Sequence, residues 1–312
     1  MQGVTHGMKK INNAAVVGMG ALGILFGKEI ADGLGGDAVR YVMDGARFAK
    51  YEGSEVVING TSWDVPVKKA EDAEPADLVI VAVKGTGLEA ALDVMENCVG
   101  PDTVIISVLN GISSEEIIAQ RYGKEKIIHC IAQGMDAMRF DNKLNYTKPG
   151  QLHIGLTEGE QQENLDALVD FFQRAGVPYI LEEDIMYRMW SKFMLNVGVN
   201  QTCMAFGTTF GGVLTEGTEE NRTYLGAMRE VIALAGAEGI HIGEKELKEY
   251  VDITRTLKPE GTPSMGQDRI NRKYSEVELF AGTVIRMAEK HGIPVPMNQY
   301  LYKLVKEIEA EY

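Results

Sequence analysis

The chain has 312 residues, 45% of them hydrophobic, with 31 Lys and Arg against 45 Asp and Glu, a formal net charge of −14. At about 150 residues per domain the length predicts two domains, and the acidic balance argues against a nucleic-acid-binding or anionic-membrane surface. No apolar run approaches the roughly 18 residues of a membrane span, and the opening "MQGVTHGMKK" lacks the apolar core of a secretion signal, so the cytoplasm is the expected compartment.

The first ten residues read as an extension, with Met8 an alternative start. Beyond them short β-branched runs alternate with helical patterns. "NAAVVG" (13–18), "AVRYVM" (38–43), "DLVIVAVK" (77–84), "TVIISVLNG" (103–111) and "KIIHCIAQG" (126–134) are continuous apolar strands of the kind buried on both faces of a parallel sheet. Helices are expected near 21–33, 86–97 and 113–122. That rhythm predicts an α/β class, a doubly wound Rossmann-type parallel sheet. One more strand follows at 150–156, then an amphipathic helix over 163–176 ended by Gly176. From about Asp184 the apolar spacing is helical throughout, with helices near 184–205, 219–238, 243–257, 268–291 and 297–309. The division is therefore 1–183, a dinucleotide-binding domain, and 184–312, an all-helical substrate and catalytic domain. The helical part also offers surfaces for a homodimer.

Cys98, Cys130 and Cys203 are far apart in apolar surroundings, as buried thiols are, and the five histidines form no paired ligand spacing. No metal site is expected.

"GMGALG", Gly18 to Gly23, follows a strand and opens a helix. Gly18 permits a tight turn, Gly20 lets backbone approach a pyrophosphate, and Gly23 allows close helix packing; Ala21 and Leu22 lie in the first helical turn, whose N–H groups are free for an anion. At the end of the second strand, Asp44 suits the ribose hydroxyls of NAD, while Arg47 suits the 2′-phosphate of NADP. The cofactor choice stays open on these residues. Lys84 and Asn110 close two further strands toward the same edge of the sheet, where Lys84 can meet a phosphate or carboxylate and Asn110 a ribose or substrate oxygen.

In "WSKFMLNVGVN" (190–200), Lys192, Asn196 and Asn200 recur every fourth residue amid core residues. On a helix of about 3.6 residues per turn they form one polar stripe, which must face water or a ligand. Hydride addition to a keto carbon builds negative charge on the carbonyl oxygen; an ammonium such as that of Lys192 can stabilise it and donate a proton, the more readily if burial lowers its pKa.

Together "GMGALG", "AVKG", "LNG", the Lys192/Asn196/Asn200 stripe, "PSMGQD" and "SEVE" resemble the ketopantoate reductase family over nearly the whole chain. The resemblance implies a Rossmann domain followed by an all-helical one, with the site in the cleft between them, and reduction of a branched 2-keto acid, 2-dehydropantoate, by NADPH in a step toward pantothenate. It implies Lys192 as general acid, Asn196 and Asn110 as hydrogen-bond partners of substrate or cofactor, Ser264 as a carboxylate contact, Lys84 near the cofactor phosphate, and Glu276 as the glutamate of the family's acidic segment. A carboxylate there can accept a hydrogen bond from a substrate hydroxyl.

The chain departs from the family pattern at Gln201, where proline is common, at Phe210, where a later asparagine is common, and at Ala281-Gly282, where Asn-Gly is common. Asp44 stands close to where an arginine for NADP is typical. Two alternatives stay open: a reductase of a different 2-keto acid using NADH, and a dinucleotide-binding sensor without turnover. No metal, nucleic acid or membrane partner is expected.

Overall fold

The computed structural model describes residues 9–312, which divide into two compact units, one of residues 9–110 and 114–185, the other of 111–113 and 186–312. The expected N-terminal extension lies, for residues 1–8 including Met8, outside the described residues.

The first unit runs β1 (Ala14–Val17), α1 (Ala21–Leu34), β2 (Val39–Met43), α2 (Gly45–Tyr51), β3 (Glu55–Ile58), β4 (Thr61–Asp64), β5 (Val67–Lys69), β6 (Leu78–Val81), α3 (Leu88–Val94), β7 (Val104–Ser107), α4 (Ser114–Tyr122), β8 (His129–Gln133), β9 (Met138–Phe140), β10 (Lys143–Asn145), β11 (Gln151–Gly155), α5 (Gln162–Ala175) and β12 (Tyr179–Leu181). Its main sheet is parallel in the order β5-β2-β1-β6-β7. The alternation along β1 shows why both faces are covered: Ala14 and Val16 point into a core with α1 and α5, including Ile24, Phe26, Leu168 and Phe172. Ala15 and Val17 point the other way, into a core with Leu88, Leu92 and Ile118 of α3 and α4. Gly33 lets α5 close on α1, since a Cβ there would stand 2.0 Å from the Ala175 carbonyl oxygen.

Three expectations are corrected. The 126–134 strand does not extend the parallel sheet; β8 pairs antiparallel with β11 in a separate sheet β12-β11-β8, and the residues just before it meet β7 through a parallel bridge between Ile105 and Ile127. A continuous apolar run marks burial but not strand direction, so it cannot tell the two sheets apart. The short strands β3, β4, β5, β9, β10 and β12 carried no long periodic signal, and β3, β4, β9 and β10 form a sheet of their own. The segment after β2, read from the sequence only for its cofactor residues, opens a further helix, α2, because the Asp44 carboxylate caps it by accepting the Arg47 N–H at 2.8 Å.

The second unit contains α6 (Ile185–Phe206), α7 (Phe210–Val213), α8 (Glu219–Ala237), α9 (Glu244–Arg255), α10 (Ser264–Ile270), α11 (Thr283–His291) and α12 (Pro296–Glu309). Its core is built from α6, α8, α11 and α12, with Phe193, Met194, Tyr224, Met228, Phe280 and Leu301 fully buried. Gly198 brings α8 against α6: a Cβ there would lie 2.6 Å from Met228. The single long helix expected over 268–291 is broken. The helix starts earlier than the expected Asp268, with Ser264 opening α10; Arg272 turns the chain at φ 49°, and a π-turn, Glu278–Gly282, precedes α11. Ser275 makes the restart, its Oγ accepting the Val277 N–H at 3.3 Å while its own N–H and hydroxyl donate to the Glu309 carboxylate at 2.7 and 2.6 Å. Ser275 and Glu278 have the S-x-x-E spacing of a helix start, a signal that the helical periodicity around it conceals.

On α1, one oxygen of the Glu29 carboxyl is buried with no hydrogen-bond partner, and burial together with nearby Asp32 pushes its pKa up to about 7. The folded chain therefore holds this proton more tightly than the unfolded chain. Its stabilising contribution is complete below the ordinary carboxylate value of 4.5 and is lost as pH rises through about 7. Glu29→Gln is expected to flatten the stability profile between these limits and, after discounting for solvent screening, to raise stability by about 1 kcal/mol at alkaline pH. Urea midpoints across that range test it; coincident wild-type and variant profiles sink it.

Candidate functional site

The glycine loop sits where the strand order reverses, between β1 and β6, the position at which parallel sheets bind ligands. Gly18 takes φ +120°, and a Cβ on it would strike the Ala82 carbonyl oxygen at 2.4 Å, so this turn accepts only glycine. A Cβ at Gly23 would lie 2.2 Å from the Gly18 oxygen, and the Tyr41 hydroxyl donates to the Gly23 carbonyl at 2.6 Å, pinning the first turn of α1 to β2. Over Gly20, in contrast, the space is open: the nearest atom to an added Cβ is the Ala82 oxygen at 3.5 Å. Gly20 caps α1 with no side chain, and the first turn holds no acidic residue, so the amides near Ala21 and Leu22 and the positive end of the helix are left for an anion. This donor set and the opening above Gly20 fit a dinucleotide pyrophosphate.

The parallel direction of the sheet carries Gly18, Asp44, Lys84 and Asn110 to one edge. Asp44 follows β2 directly, whereas Lys84 and Asn110 stand three residues past the last paired residue of β6 and β7, on loops instead of strand ends. Lys84 is exposed and Asn110 half-buried. Asp44 and Arg47, which pull toward different cofactors when read separately, are partners: the Arg47 Nε lies 3.7 Å from Asp44 Oδ2, and both side chains remain about half exposed. The acid is partly neutralised, and the guanidinium is held at the C-terminal edge.

In the second unit, α6 holds Lys192 half-buried and Asn196 and Asn200 buried, so the stripe does not face bulk water. A buried amide is costly unless bonded, and Asn200 is bonded at both ends. Its Nδ2 donates to Asn196 Oδ1 at 3.3 Å, and its Oδ1 accepts from Ser264 Oγ at 3.0 Å and, more weakly, from the Met265 N–H at 3.4 Å. Asn200 thus caps α10 from another helix and brings Ser264, itself exposed, to the stripe. With its oxygen taken, Asn196 has donor character to offer a ligand.

Glu276 is buried in the first turn after the Ser275 cap. Its segment lies along α6: the Phe193 and Phe280 rings stand 6.4 Å apart, and the Ala281 N–H donates to Gln201 Oε1 at 2.9 Å. Phe193 and Gln201 immediately follow Lys192 and Asn200, so the structure gathers the stripe, Ser264 and the Glu276 turn along one helix. The sequence alone assigns Gln201 no role beyond a departure, because a glutamine among apolar residues has no period to announce it. Phe210, the other departure, has its N–H bonded to the Gly261 carbonyl at 2.9 Å in the loop leading to Ser264. Among the described residues no cluster of His, Cys, Asp or Glu is arranged to hold a metal ion, and no helix is long and apolar enough to cross a membrane. Cys98, Cys130 and Cys203 are buried.

Comparison with known proteins matches this architecture. A 2-dehydropantoate 2-reductase of Streptococcus pyogenes serotype M3 is 24% identical over 300 residues, covering 95% of this chain and 97% of the relative. The crystal structure of a 2-dehydropantoate 2-reductase from Geobacter metallireducens superposes with a TM-score of 0.82 at 24% identity, over 95% of this chain and 99% of that one. A D-mandelate dehydrogenase solved with NADH and anilino(oxo)acetate superposes with a TM-score of 0.82 at 22% identity, over 96% and 98%. Family models match in both parts, "Ketopantoate reductase PanE/ApbA" over residues 14–159 and "Ketopantoate reductase PanE/ApbA C terminal" over 184–309. By these two matches the chain belongs to the ketopantoate reductase family.

Proposed function

We propose that this chain is a 2-dehydropantoate 2-reductase: it reduces the keto group of a branched 2-keto acid to a hydroxyl, with NADPH as the preferred reductant. The observation that carries this reading is the lysine-headed polar line on α6, Lys192-Asn196-Asn200 joined to Ser264, built into a helix that is otherwise core. Residues 1–183 serve the dinucleotide and 184–312 serve substrate and proton transfer.

A nicotinamide dinucleotide, the cofactor class of the family, supplies a hydride to the keto carbon when bound. Gly18, Gly20, Ala21, Leu22 and Gly23 take its pyrophosphate on backbone N–H groups, Lys84 adds a cation near the phosphates, and Asn110 hydrogen-bonds ribose or substrate. Arg47, held by Asp44, meets the 2′-phosphate of NADP. As charge grows on the carbonyl oxygen, the Lys192 ammonium stabilises it and then protonates it, and Asn196 donates to the same oxygen. Ser264 turns its exposed hydroxyl from Asn200 to the substrate carboxylate. Glu276 accepts the hydrogen bond of the substrate's hydroxyl, which separates this acid from simpler 2-keto acids.

A second reading, a reductase of another 2-keto acid, is favoured by Phe210, an aromatic residue at the start of α7 whose N–H is bonded to Gly261 in the loop that leads to Ser264. Turnover on a panel of 2-keto acids separates the two.

Lys192→Ala is expected to lower kcat by about 100-fold or more while leaving dinucleotide affinity unchanged. The reading fails if the variant turns over like wild type, or if wild type binds the dinucleotide yet oxidises it with no 2-keto acid. In parallel, Arg47→Ala is expected to move the NADPH-to-NADH ratio of kcat/KM toward NADH by roughly 10-fold, the worth of one charge-assisted contact. An unchanged ratio in this variant would assign the adenosine end to Asp44 and NADH.

A further inference from the structure

The π-turn before α11 has an unusual hydrogen-bond account. In an α-helix the Ala281 N–H would donate to the Val277 carbonyl, four residues back. Here Gly282 takes that carbonyl instead, at 3.0 Å and five residues back, while Phe280 and Leu279 both donate to the Glu276 carbonyl, at 3.2 and 2.9 Å. The Ala281 N–H is left outside the ladder in a fully buried residue. A buried N–H with no acceptor loses its bond to water and gains nothing in return. It is met by Gln201 Oε1 at 2.9 Å.

Gln201 is itself fully buried, and both ends of its amide are used. Its nitrogen donates to the Val197 carbonyl at 2.8 Å and to Asn298 Oδ1 at 3.2 Å. Asn298 in turn donates to Glu230 at 2.7 Å, and Glu230 also accepts the N–H groups of Met297 and Asn298 at the start of α12. This line of bonds fixes which way the Gln201 amide faces, so its oxygen is committed to the π-turn. An apolar side chain or a proline at 201 supplies no such acceptor. Without one, the ladder gains by returning the Ala281 N–H to Val277. That removes the extra residue of the π-turn, and each residue removed from a helix rotates the chain before it by about 100° relative to the chain after it. Glu276 lies on the preceding side.

We propose that Gln201 is a positioning residue: it holds the π-turn in register and so fixes Glu276 as the acceptor of the substrate hydroxyl. The inference rests on the reading of Glu276 given above, and goes beyond it in naming what makes that acceptor specific in this chain.

The test compares wild type, Gln201→Leu and Gln201→Glu on 2-dehydropantoate and on its deoxy analogue lacking the hydroxyl, together with hydrogen exchange at the Ala281 amide. Gln201→Leu is expected to lose roughly 10- to 100-fold in kcat/KM on the hydroxylated acid, with little change on the analogue, unchanged NADPH affinity, and faster exchange at Ala281. Gln201→Glu in its protonated form keeps an oxygen for the Ala281 N–H and a donor for the Val197 or Asn298 oxygen, and is expected to restore most of the discrimination at acid pH, where the carboxyl is neutral. A Leu variant that still discriminates, with Ala281 still protected, overturns the proposal. So does an equal loss on both acids with exchange accelerated throughout the helical unit, which marks a purely structural role. If wild type itself does not distinguish the two acids, the reading of Glu276 fails and takes the functional half of the proposal with it. The Ala281 exchange rate, which needs no substrate, then still reports whether Gln201 holds the turn.

Discussion

The second unit depends on the cost of burying amide groups, and on how α6 meets it for Asn200 and Gln201. Asn196, Asn200 and Gln201 sit in the middle of a helix flanked by Phe193, Val197, Val199 and Cys203, where each unbonded polar group would cost several kcal/mol. Asn196 is engaged through its oxygen by Asn200, while Asn200 and Gln201 are engaged at both ends of their amides and find partners far away in sequence. Asn200 reaches Ser264 and the start of α10, and Gln201 reaches Ala281 and Asn298. Satisfying the amides therefore does more than avoid a penalty. It dictates where two other segments start and turn, and these carry Ser264 and Glu276. An apolar α6 would pack as well or better, but it would leave α10 and the π-turn without a fixed address.

The first unit solves a different problem by omission. The glycine loop leaves backbone donors open by having no side chain at Gly20 and no acid in the first turn of α1. The close contacts at Gly18 and Gly23 are what permit that omission, since they set the loop rigidly between β1 and β6. Preorganised backbone donors cost no rearrangement when an anion arrives.

Much of this architecture is legible in the order of the residues. The βαβ rhythm, the glycine loop and the four-residue stripe are periodic signals, and the Rossmann sheet and the helical region fall where those patterns predict. The features that periodicity does not announce share one property: they are decided by partners far away in sequence. The direction of β8 is chosen by β11, the break at Arg272 is stabilised by Glu309 holding Ser275, and the value of Gln201 depends on residues 80 and 97 positions away. Asp44 and Arg47 are the local exception. Treated as rival determinants they contradict each other, but as a helix cap and its third residue they are a single unit in which the acid orients the base.

This chain is acidic, yet its proposed ligands, a dinucleotide phosphate and a 2-keto acid, are anions. At physiological ionic strength charges beyond about 8 Å are largely screened, so the net charge of −14 weighs on approach more than on the bound state. On the proposed roles, binding rests on a few donors: the amides at the start of α1, Arg47, Lys84, Lys192 and Ser264. Asp44, the acid beside Arg47, is committed to that ion pair and to the cap of α2, so it repels an incoming anion less than an isolated carboxylate would. Glu276 is the acid assigned to a ligand, and its assigned partner is a hydroxyl, the one hydrogen-bond donor the proposed substrate has to offer. An acid facing the keto-acid end would repel it; an acid facing the hydroxyl end orients it. For that orientation to carry information the carboxylate must not swing, and that requirement gives a helix otherwise built for packing a reason to keep a buried glutamine.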